Sequence, residues 1–216
     1  MNHNPLIFNK FTRIIKKQPQ SIQTYTNMLT QNFIHALENS TAHRPIRDIL
    51  SVEVINHPEL LPVLMEIALD INNKNHYKAC WTLELVLEHN INWLSDYLDD
   101  ICKKLPRYKH EGAIRSISKI CMFSAKQHLK NKKKDAIFLT QNQSQQIIET
   151  CFDWLINDTK VASKVYAIRA LFEFGKLQEW IYPELQEILT KDFAHHSPAY
   201  QSASKEILQK MAKKKH

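Results

Sequence analysis

The chain has 216 residues, 44% of them hydrophobic and 24% charged, and a formal net charge of +7 at pH 7. This is the composition of a folded protein long enough to bury a core, and it excludes a disordered chain. Only two glycines, Gly112 and Gly175, occur, which excludes a glycine-rich phosphate loop and disfavours sheets with tight hairpins, so an all-α fold is expected.

Residues 1–20 read as a basic N-terminal extension. "NPLIFNKFTRIIKKQPQ" places four basic residues and no acid around Phe8, Phe11 and Ile15. A helix docked on the body is expected there, with a targeting or membrane-surface segment as the alternative. Neither a secretory leader nor a stretch of transmembrane length is found, so no membrane insertion is expected. Residues 21–216 read as a single helical-repeat domain. Apolar residues recur at helical spacing over 21–39, 44–56, 58–70, 75–89, 91–104, 110–130, 142–157, 160–174, 179–192 and 198–212. Pro45, Pro58, Pro106, Pro183 and Pro198 punctuate the starts and ends of these segments.

The pattern repeats. "HPELLPVLMEI" at 57 returns as "YPELQEILTK" at 182, and "NWLSDYLDDIC" at 92 returns as "EWIYPELQEIL" at 179, which sets Trp93 over Trp180 and Leu98 over Leu185. One helix pair cannot cover its own apolar face, whereas stacked pairs share a core. Units of about 35 to 50 residues therefore predict a short right-handed α-solenoid of about four antiparallel pairs, HEAT- or armadillo-like. First helices would be 44–56, 75–89, 110–130 and 160–174. Second helices would be 58–70, 91–104, 142–157 and 179–192, with 21–39 and 198–212 as caps. The longer break at 131–143 is expected to be pinned by Ile137 and Phe138. Cys80, Cys102, Cys121 and Cys151 lie inside apolar helical patterns without a CxxC pair, so buried free thiols in a reducing, cytoplasmic setting are expected.

Charge is unevenly divided. Residues 103–134 hold eleven basic side chains against Glu111 alone, a net +10, so the other residues sum to −3. A clustered basic surface is what phosphate binding requires, and Arg115, Lys119, Lys126, Lys130, Lys132, Lys133 and Lys134 are the candidate nucleic-acid face. At about 100° per residue, Arg115, Lys119, Lys126 and Lys130 fall within roughly 60° of one another, opposite Ala113, Ile114, Ile117, Ile120, Cys121 and Ser124. That placement equally suits a solvated helix face. The second helices carry twelve acids against Lys103, Lys104 and Lys191. Second helices usually line the concave surface of such solenoids. Asp96, Asp99, Asp100, Glu149, Asp153, Glu184 and Glu187 are therefore the candidate protein-binding groove, which would repel a duplex.

Enzymatic signals are weak. Trp154, Asp158 and Arg169 resemble the arrangement of HEAT-like alkylpurine DNA glycosylases, but Trp154 falls on an apolar face and Asp158 is placed to cap the next helix. His76, Cys80 and Glu84 share a helix face at a spacing that could hold a metal, although Cys80 belongs with the core. His195 and His196 are adjacent, so their rings diverge. There is no HExxH, Walker loop, GxGxxG or Ser-His-Asp arrangement, and no catalytic residue, metal ligand or cofactor is expected.

From about residue 50, "NHPELLPVLMEIALD", "KACWTLELVLEHN", "ETCFDWLINDTKVASKVYAIRALFEFG" and "EWIYPELQEIL" resemble a family of small HEAT-like helical-repeat proteins from Bacteroidetes. Its members often carry the label adenylosuccinate lyase. Lyases of that superfamily have a Ser-Ser-x-Met-Pro-x-Lys-x-Asn loop, and the one Met–Pro neighbourhood here, Pro62 to Met65, lies in an apolar helix. The resemblance thus implies the fold without bringing catalytic residues across. A non-enzymatic scaffold for another protein is the expected function, with nucleic-acid binding by the 103–134 face and the lyase as alternatives.

Overall fold

The computed structural model describes residues 20–191, 193 and 196–214, and the extension expected at 1–20 lies outside them except for Gln20. Every regular element among the described residues is helical, the class expected. Contacts divide the chain into two compact units, one ending at His89 and the other starting at Asn90.

In the first unit, α1 (Gln20–Glu38) buries Phe33 and Leu37 completely. α2 (Arg44–Asn56) starts with Pro45 in its first turn, where a missing N–H costs nothing, and buries Leu50 and Val54. Pro58 then opens a 3-10 turn, Pro58–Leu60, before α3 (Leu61–Leu69). The expected helix 58–70 is therefore split, because the second proline, Pro62, is tolerated only in a first helical turn. An Asx turn follows, in which Asp70 and Asn73 accept from the backbone N–H groups of Asn72 and Asn75. α4 (His76–His89) packs against α2 and α3 and is buried without a break from Thr82 to Leu87, so it forms the centre of the unit. Each fully buried leucine there stabilises the fold by about 2 kcal/mol.

The second unit opens with a 3-10 stretch, Ile91–Tyr97, capped by Asn90, and continues as α5 (Leu98–Lys104). Asp99 and Asp100 in its first turn and Lys103 and Lys104 in its last both oppose the helix dipole favourably. Pro106 ends it in a 3-10 turn, and His110 Nδ1 accepts from Gly112 N–H at 3.1 Å to cap α6 (Glu111–Lys132). α7 (Gln141–Ile156) starts in a capping box between Thr140 and Gln143. α8 (Val161–Phe174) is the hub, touching α6, α7, α9 (Ile181–Lys191) and the C-terminal α10 (Pro198–Lys214).

The helix expected at 91–104 is likewise α-helical only from Leu98, and two local details also depart from the sequence expectations. Asp158 is exposed and caps nothing; the helix starts at Val161, and Lys160 N–H is received by Glu111 Oε2 of α6 at 3.2 Å. The cap comes from a residue distant in sequence, which no local pattern displays. In the loop after α6, Phe138 and Leu139 are the buried pins while Ile137 is 75% exposed. Leu139 N–H donates to His128 Nδ1 at 3.2 Å, fixing the loop to the helix it leaves. Asp135, with φ of 54°, makes the reversal that ends α6.

Candidate protein-interaction face

The expected acids are carried by the second helices of the second unit. Asp96 lies on the 3-10 stretch, Asp99 and Asp100 on α5, Glu149 and Asp153 on α7, and Glu184 and Glu187 on α9. All are exposed except Asp100, which is half-buried. Gln143 Nε2 donates to Asp99 Oδ1 at 2.7 Å while Gln143 Oε1 accepts from Thr140 N–H. One amide thus caps α7 and holds an α5 carboxylate beside it. Glu149 accepts from Gln145 Nε2 at 2.8 Å. Burial, and then the charge of Asp96, pushes the Tyr97 hydroxyl above its usual pKa.

α7 contains no basic residue. At about 100° per residue, Gln145, Glu149, Phe152 and Ile156 form one stripe roughly 60° wide, with Asp153 beside it, and the buried Ile147, Ile148, Cys151, Trp154 and Leu155 lie opposite. On α9, Ile181, Leu185 and Leu189 are buried, and Glu184 and Glu187 share the other side. Trp180, just before α9, is 48% exposed and stacks on Phe152 with ring centroids 6.1 Å apart. That pair joins the two stripes. No sequence pattern indicated it, because the partners come from different helices.

Gly175 lets Tyr182, two residues after Trp180, approach the end of α8 closely. A Cβ there would lie 2.1 Å from Tyr182 Cε1, so only glycine lets Tyr182 fold down on the end of α8. Tyr182 stacks on Phe172 at 5.8 Å and donates from its hydroxyl to Phe172 O at 3.3 Å. Burial, with Glu173 nearby, pushes its pKa up to about 12.

The expected basic residues divide. Ala113, Ile114, Ile117, Ile120, Cys121 and Ser124 are buried as the helix geometry requires. On the other side, Arg115 and Lys119 are half-buried, while Lys126, Lys130, Lys132, Lys133 and Lys134 are exposed. Lys119 Nζ lies 5.3 Å from the Phe123 ring centroid and 6.0 Å from that of Tyr166 on α8, so this cation is engaged by first-helix aromatics.

Several residues of the weak enzymatic signals have structural partners, whereas Asp158 is exposed and His195 lies outside the described residues. Trp154 is buried, and Arg169 pairs with Glu206 at 3.3 Å. His76 Nδ1 donates to Asn73 O at 2.8 Å and Cys80 Sγ donates to Ala68 O at 3.7 Å, so both are used by backbone carbonyls. No group of three His, Cys, Asp or Glu among the described residues could hold a metal ion. All four cysteines are buried and free. Burial raises the Cys102 thiol to about 12, and a hydrogen bond with Cys151 together with burial raises Cys121; neither supplies a thiolate nucleophile. No helix among the described residues is long and apolar enough to cross a membrane.

Helix follows helix with a repeated apolar register and no strand among the described residues, which defines a helical-repeat protein. The HEAT repeat domain model matches residues 33–211, and the chain belongs to that family. No curated protein and no solved structure matches it.

Proposed function

We propose that the chain is a non-enzymatic scaffold that binds another protein through the acidic face of its second helices, at Asp96, Asp99, Asp100, Glu149, Asp153, Glu184 and Glu187. The observation that carries this reading is the division of charge: α7 has no basic residue, while residues 103–134 are net +10. A basic or helical segment of the partner fits such a face, since complementary charge steers encounter and rejects wrong partners. Free buried cysteines support a reducing, cytoplasmic location. In affinity capture from the source cells, a partner recovered by the wild type and lost with Asp99→Lys/Asp153→Lys supports the reading. Equal recovery overturns it.

The exposure of Lys126, Lys130, Lys132, Lys133 and Lys134 at one end of α6 favours nucleic acid as the second reading. Duplex binding that falls steeply with salt and is lost on changing these lysines would support it; no binding at low salt would end it. The lyase label of the Bacteroidetes family that the sequence resembles gives a third reading, for which adenylosuccinate cleavage by the pure protein is the assay. No cleavage is expected.

A further inference from the structure

An exposed tryptophan stacked on a half-buried phenylalanine is a costly surface for a soluble chain to keep. Large exposed apolar groups gathered in one place mark interaction sites. Trp180 is 48% and Ile156 62% exposed, and Phe152 lies between them, one helical turn before Ile156 and stacked on Trp180. The indole N–H is already satisfied by Gln178 Oε1 at 3.1 Å, so what the group offers outward is its ring. Acids border this platform: Glu149 and Asp153 along α7, and Glu184 one turn beyond Trp180.

We propose that Phe152, Ile156 and Trp180 are the anchor site of this protein for one kind of ligand, a basic amphipathic helix of a partner protein. The proposal rests on the scaffold reading above and adds where the binding energy lies. Charge complementarity selects the ligand. A helix whose apolar stripe is flanked by lysines or arginines sets leucine or phenylalanine on the platform and its cations near Glu149, Asp153 and Glu184. Nucleic acid and anionic lipid are repelled by those same carboxylates. Aromatic anchors carry a disproportionate share of interface energy, while rim charges mainly set encounter rate and salt dependence. The two groups of residues therefore have separable signatures.

The test uses the full chain and a labelled synthetic helix about five turns long, leucines on one face and lysines on the other, with a glutamate-for-lysine counterpart, followed by fluorescence anisotropy at low salt. The lysine helix binds and the glutamate helix does not. Trp180→Ser and Phe152→Ser each weaken binding about tenfold or more, Trp180→Phe retains most of it, and Glu149→Lys/Glu184→Lys weakens it with a reduced salt dependence. Circular dichroism melts of each variant verify folding, and Ile156→Ser, at a position 62% exposed, keeps the test decisive where an aromatic variant unfolds, since it too loses binding if the platform is the anchor. If the acid variants lose binding and the aromatic variants do not, the anchor is refuted and the acidic scaffold stands. If neither set weakens it, or the lysine helix does not bind at all, both are refuted. A Trp180→Ser variant that changes only the oligomeric state would assign the platform to a second copy and overturn the proposal.

Discussion

Helices α6 and α7 are neighbours in sequence and both pack on α8, yet they turn opposite surfaces to solvent. α6 exposes Lys126 and Lys130 and runs into Lys132, Lys133 and Lys134, with its half-buried aromatic Phe123 under the ammonium of Lys119. α7 exposes Glu149, Asp153 and Ile156, and its half-buried Phe152 lies under another aromatic ring, Trp180. The difference teaches that the net charge of a chain is a poor guide to the character of any one of its faces. The surplus is positive, yet the exposed Ile156 and Trp180 lie among acids, while Ile137, 75% exposed, is the large apolar residue left open beside the lysines. On α6 an aromatic is used to fix a cation; on α7 one is left with an exposed ring beside it.

Substitutions can break this contrast one side at a time. The largest effect is expected from Gly175→Ala, which forces Tyr182 out of its position and disturbs the start of α9 while leaving α6 untouched. A loss of about 1–3 kcal/mol should appear as a lowered urea midpoint. Glu111→Ala, which removes the carboxylate cap from Lys160 N–H, should cost about 1 kcal/mol by the same measurement, with Glu111→Gln losing less. Lys119→Gln should cost about 0.5–1 kcal/mol through the lost cation–π contacts. Lys126→Gln should stay within about 0.5 kcal/mol of wild type, and equal losses at both positions would remove the distinction between an engaged and a solvated half of the basic stripe.

The smallest effect is a pH dependence. Burial, and then Lys132, lowers the pKa of His128 below its ordinary 6.5, and its neutral Nδ1 is the acceptor that pins Leu139. As pH falls, the unfolded chain takes up this proton before the folded one. The contribution of His128 is therefore complete above the ordinary value and lost as pH falls through the lowered one. Urea midpoints at about pH 8 and about pH 5 should differ more in wild type than in His128→Gln, whose amide oxygen can still accept.

Helices and core of this protein were legible in its sequence because both follow from one periodicity. Ala113, Ile117 and Cys121 are buried where their spacing places them, and helix limits deviate most at 91–104, where the first seven residues form a 3-10 stretch, and at Pro58 and Pro62. The charge division was legible too, being a property of composition along the chain. What escaped was everything made across helices. Glu111 caps a helix 49 residues downstream, Lys119 meets Tyr166 on another helix, and Trp180 meets Phe152. The repeat aligned Trp93 with Trp180, but Trp93 is half-buried and Trp180 is not. Repeats transmit register; they do not say which neighbour covers a given ring.

The seating of Trp180 has one further consequence, and it is entropic. Tyr182 occupies the space a side chain at 175 would need, and two residues before it Trp180 is seated on Phe152 with its N–H held by Gln178. An indole held by two contacts has less rotamer freedom to lose. A ligand of the proposed kind would forgo part of the ordering cost of one large side chain, about 0.5–1.5 kcal/mol. Improved fit on this ring would then appear as longer residence time, with the backbone beneath it unmoved.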